Sequence, residues 1–140
     1  MNTNKMDPKV FLSTLWIFVM FNYLYCDVMG LMDPVILNQM LAGDLGFVKI
    51  TEGFLLGAAV LMEIPIAMVL LSRILNYSAN RWANIIAGTI KTVVMIMSMF
   101  VGDGPTLYYL FFGTIEMACT AYIVWYAWNW HEQAGQPEQI

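Results

Sequence analysis

The chain has 140 residues, of which 60% are hydrophobic and 11% are charged, and its formal net charge is −4. A soluble domain is about 45–50% apolar and about 25% charged, and a chain this short cannot bury such an apolar excess. With a mean hydropathy of +0.66, the composition excludes a soluble enzyme and a disordered chain, and it predicts a single membrane domain over residues 1–140.

Four apolar stretches of about 20 residues each are long enough, at about 1.5 Å per residue, to cross a hydrocarbon core of about 30 Å. Because backbone groups in lipid must be hydrogen-bonded within their own segment, each stretch is predicted to be a helix. The predicted spans are residues 10–32, 53–74, 82–101 and 106–128, followed by a polar tail over 129–140. The sequence therefore predicts an all-α fold, an integral membrane four-helix bundle.

The connection after the first span has the signals of a short additional helix. Asp33 and Pro34 supply an acidic N-cap and a proline at the first helical position. An apolar face follows, formed by Ile36, Leu37, Met40 and Leu41, and then Gly43, a residue type that ends helices. This pattern predicts a short interfacial helix in the outer loop between the first two spans. A loop that covers the helix ends is the alternative.

Basic residues outside the spans or at their very ends predict the orientation. Four of them lie on one side of the predicted membrane: Lys5, Lys9, Arg73 and Arg81. Only Lys49 lies on the other side. By the positive-inside rule, both termini and the connection between the second and third spans are expected to face the cytoplasm. The predicted localisation is therefore the inner membrane of the cell, with several passes.

Apart from Arg73 at the end of the second span, each predicted span contains one charged residue, and three of these residues have a similar depth. Glu63, Lys91 and Glu116 lie roughly 14–15 Å from one end of their spans, close to the bilayer midplane. An unpaired charge there costs at least about 2.5–3.5 kcal/mol, so the three side chains are expected to face one another inside the bundle. Because two carboxylates exceed one ammonium, this cluster is expected to hold a proton or a further cation. Asp27 lies nearer the outer end of the first span, and Tyr23, one turn away, is placed to reach the cluster.

Two further residues are candidates for the same site. Pro65 removes the helical hydrogen bond to the carbonyl of Leu61, so it is predicted to act as a hinge or to expose that carbonyl. A proline that the helix merely tolerates is the alternative. Asn84 lies two turns before Lys91 on the same helix face, where small and polar residues support close helix packing in lipid.

Two interpretations of the charged cluster stay open. Ionisable residues inside a membrane commonly bind a proton, a cation or a small polar ligand, as in transporters. The candidate binding residues are Glu63, Lys91, Glu116, Asp27, Tyr23 and Asn84. The alternative is a structural ion-pair network in a non-transporting scaffold or accessory subunit.

The sequence predicts neither an enzyme nor a cofactor or metal site. It contains no H-E-x-x-H or G-x-S-x-G motif, no glycine-rich phosphate loop and no histidine within the spans. Cys26 and Cys119 form no C-x-x-C motif and are expected to be packing residues. No basic block predicts nucleic-acid binding, so the expected partners are the lipid bilayer and either a second copy of the chain or another membrane protein.

Residues 63–68 (Glu-Ile-Pro-Ile-Ala-Met) and 80–88 (Asn-Arg-Trp-Ala-Asn-Ile-Ile-Ala-Gly) resemble a family of short bacterial four-helix membrane proteins known as a domain of unknown function. The similarity covers most of the chain and includes the Trp-Tyr-Ala-Trp ending at 125–128. More loosely, four helices with an acidic residue in the second resemble the DoxX-like group. Neither resemblance implies a defined activity, so a small inner-membrane protein of uncharacterised role is expected.

Overall fold

The computed structural model of the protein describes residues 6–101 and 104–131, and within these ranges it contains helices and no strand. The helices are α1 (Pro8–Met32), α2 (Pro34–Ala42), α3 (Glu52–Ile74), α4 (Tyr77–Ser98) and α5 (Leu107–Asn129). Asp44 and Lys49 form an isolated antiparallel bridge in the connection between α2 and α3. The predicted all-α fold class is confirmed. Lys5 and the tail beyond residue 131 lie outside the described residues.

Side-chain caps explain where the helices begin. The Asp7 carboxylate accepts a hydrogen bond from the backbone N–H of Lys9 at 2.9 Å, directly ahead of the proline that starts α1. The Asn76 side chain accepts one from the N–H of Ala79 at 3.0 Å, so α4 begins at Tyr77 and not at the predicted Trp82. The predicted span begins too late because it counts only apolar residues, and the first turns of α4 are polar. The asparagine N-cap stabilises the start of the helix independently of hydropathy.

The short helix predicted after the first span is present as α2. The Asp33 carboxylate accepts a hydrogen bond from the N–H of Val35 at 2.9 Å, and Gly43 ends the helix with φ at 70°. That left-handed conformation is strained for any residue with a Cβ atom, which explains the glycine. α2 has no buried residue and packs against α1.

The four long helices contact one another in a closed order. α1 packs against α3, α3 against α4, α4 against α5, and α5 against α1. The interior of this arrangement includes an apolar core, in which the side chains of Leu12, Trp16, Val19 and Ile123 are at 0% exposure. Each long helix therefore presents one face to two neighbours and the rest of its surface to the outside.

α4 and α5 approach each other closely at Gly88. A Cβ atom on this glycine would lie 2.7 Å from Cγ2 of Val124 and 3.2 Å from the carbonyl oxygen of Thr120. One turn further along α4, the hydroxyls of Thr92 and Thr120 are 2.8 Å apart. Small residues and hydroxyl pairs are the usual contacts between helices in lipid, because they permit close backbone approach.

Three of the long helices, α1, α3 and α5, are long and apolar enough to cross a membrane. The surface of α3 is the most exposed, since only 11% of its most apolar 18-residue window is buried. So much exposed apolar surface is rare on a soluble monomer. α4 has 22 residues and is long enough, but it is less apolar because its buried face carries Asn80, Asn84 and Lys91.

Candidate functional site

A partly open cavity of about 140 Å³ is lined by residues of all four long helices. Its polar and thiol lining consists of Tyr23, Cys26, Asp27, Lys91, Ser98, Tyr109 and Glu116. Apolar residues complete the wall, among them Met62 of α3 and Met95 of α4. The cavity thus brings two carboxylates and one ammonium group to a common space, and we call it the charged cavity.

The packing faces of α4 and α5 explain why Lys91 and Glu116 point inward. Buried residues on each helix recur every three or four positions, which places them on one face. On α4 they are Asn80, Asn84, Ala87, Gly88, Lys91 and Met95. On α5 they are Gly113, Glu116, Cys119, Thr120, Ile123 and Ala127. Each charged residue therefore occupies a position that the helix must bury in order to pack against its neighbour.

Lys91 is only 5% exposed, and two groups surround its ammonium. Nζ lies 3.9 Å from the centroid of the Tyr23 ring, which is a cation–π contact. It also donates a hydrogen bond of 3.5 Å to the carbonyl of Leu61. That carbonyl lacks its usual helical partner because Pro65 has no N–H. Among the described residues no carboxylate oxygen lies within 4.0 Å of Nζ, so Lys91 shares a cavity with the acids without forming a close ion pair.

Glu116 is 2% exposed, and its Oε1 atom is buried with no hydrogen-bond donor among the described residues. The hydroxyl of Tyr23, across the same cavity, is likewise buried and without a partner there. Leaving one buried polar atom unpaired costs about 1–3 kcal/mol, and more when the group is charged. Both of these unpaired atoms belong to residues that line the charged cavity.

The remaining polar groups differ in how they are held. Asp27 lines the cavity and is exposed as a residue, so it stands at the open side. Ser98 and Tyr109 lie 2.6 Å apart through their hydroxyl oxygens. Neither is among the residues that the sequence predicted for the site. A signal for both was present, since Ser98 follows Lys91 and Tyr109 precedes Glu116 by two helical turns, which places them on the same faces.

Glu63 does not belong to this cavity, which corrects the predicted cluster of Glu63, Lys91 and Glu116. Its side chain is exposed on the outer surface of α3, and the residue is absent from the cavity wall. The α3 residue that reaches the cavity is its neighbour Met62. Consecutive helical residues point about 100° apart, so a shared depth does not bring side chains together. Asp27 takes the place that the prediction assigned to Glu63.

Asn84 lies in a separate buried region, which we call the amide network: Trp16, Ser72, Asn80 and Asn84. Oδ1 of Asn84 accepts a hydrogen bond from Nε1 of Trp16 at 2.7 Å, and its Nδ2 donates to Oδ1 of Asn80 at 2.7 Å. Nδ2 of Asn80 in turn donates to the backbone oxygen of Ser72 at 2.6 Å. All four side chains are fully buried, and every polar atom in them has a partner. The network joins α1, α3 and α4, and each of its buried side-chain polar atoms already has a partner within it or in the backbone.

The model of a family of unknown function, DUF6326, matches residues 3–136. No curated protein and no solved structure is significantly similar to the chain. The match confirms the assignment to an uncharacterised family that the sequence patterns predicted, whereas the looser DoxX-like resemblance rests on those patterns alone. Because the matched region is almost the entire sequence, the chain belongs to the DUF6326 family of unknown function.

Proposed function

We propose that the chain is a multi-pass inner-membrane protein in which α4 is a fourth span beside α1, α3 and α5. Its position between α3 and α5 supports this proposal, as does the distribution of its side chains. Three strongly polar residues of α4, Asn80, Asn84 and Lys91, are buried, and Ser78 and Thr89 are exposed. Its exposed large side chains include Ile86, Ile90, Val93 and Met97. The surface that such a helix presents to lipid is therefore mainly apolar, although the mean hydropathy of the whole helix is low. The four long helices then form a membrane bundle.

The orientation in this proposal follows from the basic residues. Ser13, near the start of α1, donates a hydrogen bond of 2.8 Å to the carbonyl of Val69, near the end of α3. Arg73 at the end of α3 and Arg81 at the start of α4 are therefore at the same end of the bundle as the start of α1, and by the positive-inside rule this end faces the cytoplasm. Arg81 also donates hydrogen bonds to the backbone oxygens of Ala127 at 3.2 Å and Trp128 at 3.0 Å, which holds the end of α5 beside it. Both termini are then cytoplasmic, and α2 lies at the opposite membrane interface.

The function that the geometry supports best is binding of a proton or a small cation in the charged cavity, within a carrier. The observation that carries it is the unpartnered Oε1 atom of the buried Glu116. A buried carboxylate is stable only when a donor or a cation compensates it. Lys91 forms no close ion pair with Glu116, and its ammonium contacts the Tyr23 ring and the Leu61 carbonyl. No enzymatic activity is part of this proposal.

The size of the charged cavity limits what it binds. Its volume is about 140 Å³. A protein cavity of about 150 Å³ is known to admit a benzene molecule, so a ligand of about six non-hydrogen atoms is the upper limit for the enclosed part. Ethylammonium is below this limit, is a monocation and offers N–H donors, which makes it a suitable first probe.

Titration calorimetry with ethylammonium chloride, on the purified chain in lipid nanodiscs, tests the proposal. Glu116→Gln is expected to weaken binding about ten-fold or more, the loss of one charge-assisted hydrogen bond. Lys91→Met is expected to strengthen binding, because it removes a like charge from the cavity. Glu63→Gln is the matched control and should bind as the unmodified chain does. The proposal fails if the unmodified chain does not bind the probe or if Glu116→Gln binds it equally well.

The second candidate function is that of a scaffold or accessory subunit that pairs with a second copy or another membrane protein. The closed amide network favours it, since a fully paired buried network serves to fix how helices pack. This function predicts that a membrane protein copurifies with the chain in fixed stoichiometry. It also predicts that neutral substitutions in the charged cavity impair folding and leave no cation effect to measure.

A further inference from the structure

A second space, between α1 and α3, adjoins the charged cavity and differs from it in character. Its volume is about 230 Å³, and most of its wall is apolar. The residues that line only this space are Met20, Phe21, Leu24, Pro65 and Ile66. Phe21, Leu24 and Ile66 are about half exposed, at 51%, 56% and 48%. The space is therefore a groove that opens on the apolar outer surface of the molecule, and we call it the lateral groove.

The lateral groove and the charged cavity adjoin each other. Three residues line both of them: Tyr23, Asp27 and Met62. A carboxylate thus stands at the junction of an apolar groove and a polar cavity. Binding sites of this shape fit a molecule that has a small polar head and an apolar chain, with the head in the polar part.

The charges of the cavity select the head group. Asp27 and Glu116 exceed Lys91 by one negative charge when all three are ionised. The unpartnered oxygen of Glu116 needs a donor, and the Lys91 ammonium already contacts the Tyr23 ring and the Leu61 carbonyl. A primary ammonium head supplies both the missing charge and the missing donors. An anionic head would bring a third negative charge to the acids.

We propose that the charged cavity and the lateral groove form one site for a single-chain cationic amphiphile, an alkylammonium that enters sideways from the bilayer between α1 and α3. This inference rests on the proposed cation binding and specifies its ligand class. The ammonium head lies between Asp27 and Glu116, and the first part of the alkyl chain lies along Leu24 and Ile66. At about 30 Å³ per small group, the groove accommodates about eight carbon atoms of that chain, and the remainder lies in lipid.

Photocrosslinking in nanodiscs tests this site directly. The probe is dodecylamine with a diazirine group in the middle of its chain, and its matched comparisons are the dodecanoic acid and the dodecanol with the diazirine at the same carbon. We expect the amine to label the wall of the lateral groove, at Leu24 or Ile66, about ten-fold more than either comparison does, because only the ammonium pairs with Glu116. Glu116→Gln should remove this difference, and Glu63→Gln should preserve it.

A variant of the groove separates this inference from the proposed function. Ile66→Trp fills the groove, so it should reduce labelling by the long-chain amine about ten-fold while ethylammonium still binds in the cavity. Leu70→Trp is the control on the same helix, at an exposed position outside the groove wall. Equal labelling by amine, acid and alcohol overturns the inference. Ethylammonium binding without groove labelling overturns it and leaves the proposed function standing, whereas the absence of both refutes the two together.

Discussion

The amide network and the charged cavity both bury polar groups along α4, and they differ in how completely those groups are paired. In the network, the side chain of Asn84 binds Trp16 and Asn80 through bonds of 2.7 Å, and every polar atom has a partner. In the cavity, Oε1 of Glu116 and the hydroxyl of Tyr23 have no partner among the described residues. The comparison separates polar groups that hold helices together from polar groups that have no hydrogen-bond partner among the described residues.

This contrast has a physical basis. A fully paired network gains free energy only in the folded chain, so it stabilises the packing of α1, α3 and α4. An unpaired acid reduces stability and persists when it serves a function. Substitutions in the amide network should therefore reduce stability, whereas substitutions in the charged cavity should change binding and leave stability nearly unchanged. Three predictions test this difference, in order of expected effect.

Asn84→Leu should cause the largest loss of stability. The substitution leaves the indole N–H of Trp16 and the side-chain oxygen Oδ1 of Asn80 buried without partners. Each unpaired atom costs about 1–3 kcal/mol of stability. We expect the free energy of unfolding in mixed micelles to fall by about 2–4 kcal/mol. Asn22→Leu is the matched control, because the amide of Asn22 donates only to the backbone of its own helix, at Phe18. If both variants are equally stable, the network does not stabilise the fold.

Gly88→Ala should cause an intermediate loss of stability. This glycine lies on α4 between the two regions, where α4 and α5 approach closely. The added methyl group would meet Val124 at 2.7 Å, so α4 and α5 must move apart, which costs about 1–3 kcal/mol. Gly57→Ala is the control, since a Cβ atom there meets nothing within 4 Å and should add about 0.5–1 kcal/mol of stability. Unfolding of both variants in the same micelles checks the prediction. A stabilised Gly88→Ala chain would contradict the close helix contact.

Glu116→Gln and Lys91→Met should have the smallest effect on stability, within about 1 kcal/mol of the unmodified chain. No close ion pair joins these residues, so neither substitution breaks one. The hydrogen bond that Lys91→Met removes is the long one of 3.5 Å to the Leu61 carbonyl. The same unfolding measurement applies, with Glu63→Gln as the control for a carboxylate on the outer surface. A loss above about 2 kcal/mol in either variant would mean that the charged cavity is structural, and it would favour the scaffold function over cation binding.

The sequence predicted the helices well because each follows from local physics. Apolar runs of sufficient length indicate the long helices, and the pair Asp33-Pro34 with Gly43 indicates α2, which begins and ends where those residues predict. The largest error is the start of α4 at Tyr77, where an asparagine cap precedes a polar turn that an apolar stretch does not include. That α4 is a fourth span stays a prediction, because only α1, α3 and α5 are apolar enough to be identified by composition. The mean hydropathy of α4 is low because its buried face carries polar residues.

The site was predicted less completely, because it depends on the direction in which side chains point. Four of the predicted site residues line one cavity in the structure: Lys91, Tyr23, Glu116 and Asp27. Asn84 lies in the amide network instead, where its partner Trp16 comes from a helix that is distant in sequence. Depth along a span can be counted from the sequence, whereas the rotation of a helix depends on which of its faces packs best.

By itself, the sequence determined that this chain is all-helical, that several helices are apolar enough to cross a membrane, and that charged residues occur within them, since composition and hydrogen-bonding needs are local properties. Only the tertiary structure decided which charges share a space. The packing of small residues on α4 and α5 turns Lys91 and Glu116 inward, and the packing of α3 turns Glu63 outward. Helix rotation results from contacts among all the neighbours at once, and no single stretch of sequence contains that information.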